Sequence, residues 1–123
     1  MPSCRYHIVN VHSEGPLSGL PVAVFDQAPA LDEATMLALS QQVQTALSVF
    51  LLPSARGHAR LAIFTPERSL AFSPDALFAA ASVVRERLGE AMLTLETAVM
   101  IAPLWLEQDR WFYQVQVPLQ RDL

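Results

Sequence analysis

The side chains able to move a proton are few and scattered. His12 and Glu14 stand just after the first apolar segment, and Asp75 follows Ser73-Pro74. General acid–base chemistry needs a titratable group held near the reacting atom, so these three are the catalytic candidates, with Asp75 first and His12 or Glu14 in support. Each also has an ordinary structural role. A carboxylate in the first turn of a helix stabilises the helix dipole, which is the commoner duty of an Asp placed like Asp75. Histidines in or beside a strand, as His7 and His12 are, more often hydrogen-bond or face water than catalyse. The three histidines and the lone Cys4 lack metal-site spacing, and the four glycines are isolated, so no phosphate loop is visible. Nor is there a nucleophile elbow. No cofactor and no metal are expected.

The elements that position these residues are punctuated clearly. Asp75 opens a helix for which Ser73 is the cap, Pro74 the first helical residue and Gly89 the left-handed stop. From Ala76 to Leu88 this helix has no consistently polar face, so it belongs inside something, and its alanines allow strands to approach closely. Arg85 and Arg87 suit its C-terminal end. Strands are expected at Tyr6 to Val11, Pro21 to Asp26, Ser48 to Leu52, Arg60 to Thr65, Met92 to Thr97, Ile101 to Glu107 and Trp111 to Val117. Gln108-Asp109-Arg110 joins the last two as a hairpin. A first helix is capped by Asp32, carries Glu33 in its first turn, and shows Met36, Leu39, Val43 and Leu47 at helical spacing. It frays by Thr45. Trp105, Trp111 and Tyr113 have the types of an aromatic site, with cross-strand packing as the plainer account. The order β-β-α-β-β-α-β-β-β gives an α+β fold with a mostly antiparallel, strongly curved, barrel-like sheet around the helix at about 74–88.

Composition narrows the class. The 123 residues suit one domain, are 52% hydrophobic and only 16% charged, and carry a net charge of −4. That balance offers no basic footprint for nucleic acid. It points to a large core, or to apolar surface hidden in an oligomer. One cysteine excludes an internal disulfide and fits a reducing compartment. The N-terminus lacks a signal-peptide apolar region, and the Leu77 to Val84 run is too short to span a membrane. A cytoplasmic protein that meets no membrane is the expectation.

Read in order, YHIVNV, PLSGLPVAVFD, FLLP, IFTPERSLAF with its alanine-rich helix, LET and QVQVP resemble the N-terminal half of the phenazine-biosynthesis PhzF family. The resemblance covers nearly the whole chain. It implies the diaminopimelate epimerase-like fold, with residues 1–123 as a single domain equivalent to that half. Family members are about twice as long and use the cleft between two such domains for cofactor-independent proton transfer. The cleft positions implied here are Gly19, Leu20, Leu47, Ser73, Pro74 and Asp75. The departures fall on the chemistry. The family's catalytic glutamate becomes Leu47, its Gly-Asn-Pro becomes Gly19-Leu20-Pro21, and its Gly-His-Pro becomes Pro74-Asp75-Ala76. Leu47 removes the base. Pro74 offers no N–H, and Asp75 sets a negative charge where the family's helix start can receive an anion. The expectation is a catalytically inactive protein that binds a small molecule or a protein partner, pairing as a homodimer in place of the two-domain molecule. The alternative is an isomerase or epimerase with a site rebuilt in the dimer cleft.

Overall fold

The computed structural model describes residues 5–11, 19–26 and 31–114. Its elements are β1 (Arg5–Val11), β2 (Leu20–Asp26), α1 (Glu33–Val43), β3 (Leu47–Leu52), β4 (Ala59–Phe64), β5 (Ser69–Leu70), α2 (Pro74–Leu88), β6 (Met92–Glu96), β7 (Ile101–Glu107) and β8 (Arg110–Tyr113). All the strands join one curled sheet in the order β1-β2-β3-β4-β6-β7-β8, with β5 added beside β4.

Pairing is antiparallel except between β2 and β3 and between β4 and β6. Those two parallel pairs need crossovers, and the helices supply them. The pairs run in opposite directions, because β3 and β4 are antiparallel. Crossovers of the usual right hand therefore put the two helices on opposite faces. α2 lies in the hollow of the sheet, where Leu77, Ala80 and Val84 pack with Val22, Val49, Ile63, Leu95 and Leu104. α1 covers the outer face, where Met36 joins Ala23, Phe25, Phe50 and Phe64. Residues alternating along β2, β3 and β4 thus enter two different cores.

The punctuation of the helices is as the sequence implies. Ser73 is the cap of α2, its Oγ accepting a 3.3 Å bond from the Ala76 N–H, and Gly89 stops the helix at φ 74°. Asp32 caps α1 by accepting from the Thr35 N–H at 2.8 Å; hydrogen bonding from the Thr35 side chain first, and from this N–H second, lowers its carboxyl pKa below the ordinary value. Gln44 ends α1 in the left-handed region at φ 60°.

Two expectations are corrected. Leu47 is the first residue of β3 and not a member of the α1 face, because the left-handed turn at Gln44 breaks the helical phase before it. The sheet also gains β5, a two-residue strand too short to leave a pattern. β8 ends at Tyr113, and the part of the expected strand beyond Gln114 lies outside the described residues. Trp105, Trp111 and Tyr113 follow the plainer account of packing across strands, and they do not converge on one site. Trp105 stacks on Phe112 on the outer face at 5.9 Å, whereas Trp111 and Tyr113 pack against the inner core. Among the described residues no helix is long and apolar enough to cross a membrane.

Candidate functional site

One end of the sheet gathers most of the implied cleft. The register sets Val11 opposite Leu20 and Val22 beside Leu47, so the end of β1 and the starts of β2 and β3 lie together. Gly19, at φ 106°, leads into that edge in a conformation that side chains resist. At the other end of β2, Asp26 accepts a 2.6 Å bond from Arg87 of α2. A 15-residue helix and a seven-residue strand both run about 22 Å. The pin at Asp26 therefore leaves the start of α2 at the Leu20–Leu47 end. Tyr113 at the end of β8 meets Phe72 and Phe78 there, at 6.0 Å and 5.5 Å between ring centres. Leu20, Leu47, Ser73, Pro74 and Asp75 thus come to one end of the molecule. His12 and Glu14 lie outside the described residues, as does Cys4.

The chemistry available at this end is limited. Leu47 is only 8% exposed and belongs to the main core. Ser73 is buried, and its two oxygens are occupied by the first turn of α2: Oγ by Ala76 N–H and the carbonyl by Leu77 N–H at 3.0 Å. Pro74 has no N–H to give. Asp75 is half-buried in the first turn. A helix start usually attracts anions through free N–H groups. Here the cap takes one of those donors, the Ala76 N–H, proline deletes another, and a carboxylate supplies the negative charge. His7 lies far from this end, with Nε2 3.8 Å from Asp26.

A second polar cluster lies on the outer side, where β4 meets β6. Glu96 accepts from Arg56 Nη2 and, at 2.8 Å, from Ser54 Oγ. Hydrogen bonding from Arg56 first and Ser54 second holds the Glu96 carboxyl below its usual range, with Arg60 adding to this through space. The next turn residue joins in: His58 N–H donates to the Thr94 carbonyl at 2.7 Å, and Thr94 N–H donates to His58 Nδ1 at 3.0 Å. None of these residues stood out as functional in the sequence. The available signal was Arg60 and Glu96 at outward positions of strands that the fold makes neighbours. Among the described residues no group of three or more His, Cys, Asp or Glu is placed to hold a metal ion.

A curled α+β half-barrel around a buried helix, with the starts of β2, β3 and α2 at one end, defines an epimerase-like domain. The chain belongs to the PhzC-PhzF family of phenazine biosynthesis-like proteins, whose sequence profile matches residues 9–121. It is 32% identical over 105 residues to the trans-2,3-dihydro-3-hydroxyanthranilate isomerase of Pseudomonas aeruginosa, covering 85% of this chain and 38% of that protein. Among solved structures, a predicted epimerase from Pseudomonas aeruginosa is similar at 36% identity and TM-score 0.75, over 83% of this chain and 38% of the other. A PhzF-family protein from Enterococcus faecalis superposes at TM-score 0.81 and 23% identity, over 89% of this chain and 43% of that one. The chain therefore spans about two-fifths of the length of these relatives.

Proposed function

We propose that this chain is a single PhzF-like domain that has given up proton transfer and acts by binding, with two copies pairing in place of the two domains of its relatives. The observation that carries the reading is Leu47. At the position that the family resemblance assigns to the catalytic glutamate stands an apolar side chain, turned into the core and 8% exposed. A base cannot be recovered there by a rotamer change, since the group has nothing to titrate. The capped, proline-bearing, acidic start of α2 supports the same reading, because it repels the anion that such a site would hold. Pairing is supported by a composition that is 52% hydrophobic and by exposed apolar side chains such as Met92, at 72%, and Phe112, at 40%.

Two measurements test this. Sedimentation at micromolar concentration should give a dimer, and a strict monomer overturns the pairing. Incubation in deuterated water with a panel of amino and hydroxy acids should leave their α-protons unexchanged. Exchange that disappears in Asp75→Asn would instead establish an isomerase with a rebuilt site.

A further inference from the structure

β4 changes partners midway. Ala59 and Arg60 pair with β6, whereas Ile63 and Phe64 pair with β5. Among the described residues, Leu61 and Ala62 between them have no strand on that side, and a cavity of about 550 Å³ opens at the notch. Its apolar lining includes Leu61 and Leu70, with Met36 contributed by α1, and its polar groups include Arg56, Arg60, Glu33 and Glu96.

The charges at the notch are unequally committed. Arg60 and Glu96 are register partners across the parallel β4–β6 pairing, near enough for opposite charges to attract. Glu96 is instead taken by Arg56 and Ser54. The Arg60 guanidinium makes no hydrogen bond and no ion pair among the described residues. An exposed arginine lining a cavity of mixed polar and apolar character, with its neighbouring carboxylate turned elsewhere, is a planar donor fork that matches one incoming carboxylate. The volume falls in the range of small-molecule sites, which are mostly apolar with a few orienting polar groups.

We propose that this notch binds a small monocarboxylate with an apolar body, its carboxylate held by Arg60 and its body against Leu61, Leu70 and Met36. A single negative charge is favoured over a phosphate or dicarboxylate, because Glu33 and Glu96 also line the cavity and repel further charge. This site is separate from the start of α2, so it stands or falls independently of the pairing and inactivity proposed above.

The test is an amide NMR titration of the full chain with benzoate and hexanoate, and with benzamide as the neutral analogue. Both acids should shift the amides of Leu61, Leu70 and Thr97 in a saturable way, and benzamide should not. Arg60→Gln should weaken benzoate by about tenfold or more, the loss expected on removing a charge-assisted pair. Arg60→Lys, which keeps the charge without the fork, should fall between. Ala62→Leu, which fills the notch while keeping Arg60, should also weaken both acids. The proposal is overturned if neither acid perturbs these amides, if the perturbation centres on the start of α2, or if Arg60→Gln binds benzoate as well as the unmodified chain.

Discussion

The two wings of the sheet are covered differently. β2, β3 and β4 carry α2 on one face and α1 on the other, so Val22 to Phe25 and Leu47 to Leu51 are buried without a break. β6, β7 and β8 have the α2 core on one side and, among the described residues, no helix on the other. Their burial alternates: Leu93, Leu95, Ala102 and Leu104 face in, whereas Met92, Ile101, Pro103 and Phe112 face out. The sequences carry the same contrast, with VAVF and VFLL as continuous apolar runs and the β7–β8 hairpin as an alternating one. The difference shows which faces of the sheet the described elements cover and which they leave open. The Met92–Trp105–Phe112 row runs straight across the second wing, and no element of the described chain packs over it.

The largest expected effect probes this contrast directly. Phe50 is fully buried on the outer face of the first wing, stacked on Phe25 at 4.3 Å and edge-on to Phe64 at 5.7 Å. Phe50→Ala should destabilise by about 3–5 kcal/mol in denaturant unfolding, through lost burial and the cavity left under α1. Trp105 holds the corresponding outward position on the second wing, where the ring is half-buried and water reaches its surroundings. Trp105→Ala should cost about 1 kcal/mol, the scale of an aromatic cross-strand pair. A Trp105 cost equal to that of Phe50 would break the contrast. It would mean that the outer face of β6–β8 is covered in solution, and a dilution series of the same unfolding curves would then show a concentration dependence.

Much of this arrangement was legible in the sequence. The buried helix, both of its stops, and the β7–β8 hairpin follow from Ser73-Pro74, Gly89 and Gln108-Asp109, since each depends on local backbone chemistry. Leu47 was harder. Its spacing from Val43 continues the α1 stripe, and only the left-handed Gln44 reveals the break, a conformation that glutamine does not advertise. β5 escaped because two residues have no period. The gathering of Leu20, Leu47 and Ser73 at one end was implied by family resemblance and not by the residues themselves. The Arg60 notch was invisible for a different reason. Which strand lies beside β4, and where Glu96 turns, are decided by tertiary pairing.

A middle-sized effect concerns the seam between the wings. β4 and β6 share only two residue pairs, so the β3–β4 turn supplements them through His58–Thr94 and Arg56–Glu96. Gly57 lets that turn lie flat on β6: a Cβ there would stand 2.6 Å from the Thr94 carbonyl oxygen. Backbone cannot yield as a side-chain tip can. Gly57→Ala should therefore destabilise by about 1–3 kcal/mol, as overpacking does. Hydrogen exchange should locate the damage, with the His58 and Thr94 amides losing protection before those of β2 and β3. Equal loss in both wings would show that the seam is not a weak joint and that the sheet opens as one unit.

The smallest effect depends on pH and separates the seam from the α1 cap. The Glu96 carboxyl lies below its ordinary value of 4.5 because Arg56 and Ser54 bond its charged form. A carboxylate with a depressed folded pKa contributes stability that is fully present above its unfolded value and is lost as pH falls through the folded one. The unmodified chain should thus be more stable than Glu96→Gln by a constant margin above about pH 5, and that margin should shrink as acid is added. Asp32 has the same sign, since Thr35 lowers its pKa, but it sits at the start of α1 in the doubly covered wing. Asp32→Asn tells the two apart. If unfolding midpoints keep their acid slope in Asp32→Asn and flatten in Glu96→Gln, the acid-sensitive point is the seam. If the slopes respond the other way, the cap of α1 is the acid-labile element, and the joint between the wings is held by its backbone bonds and not by the Arg56–Glu96 pair.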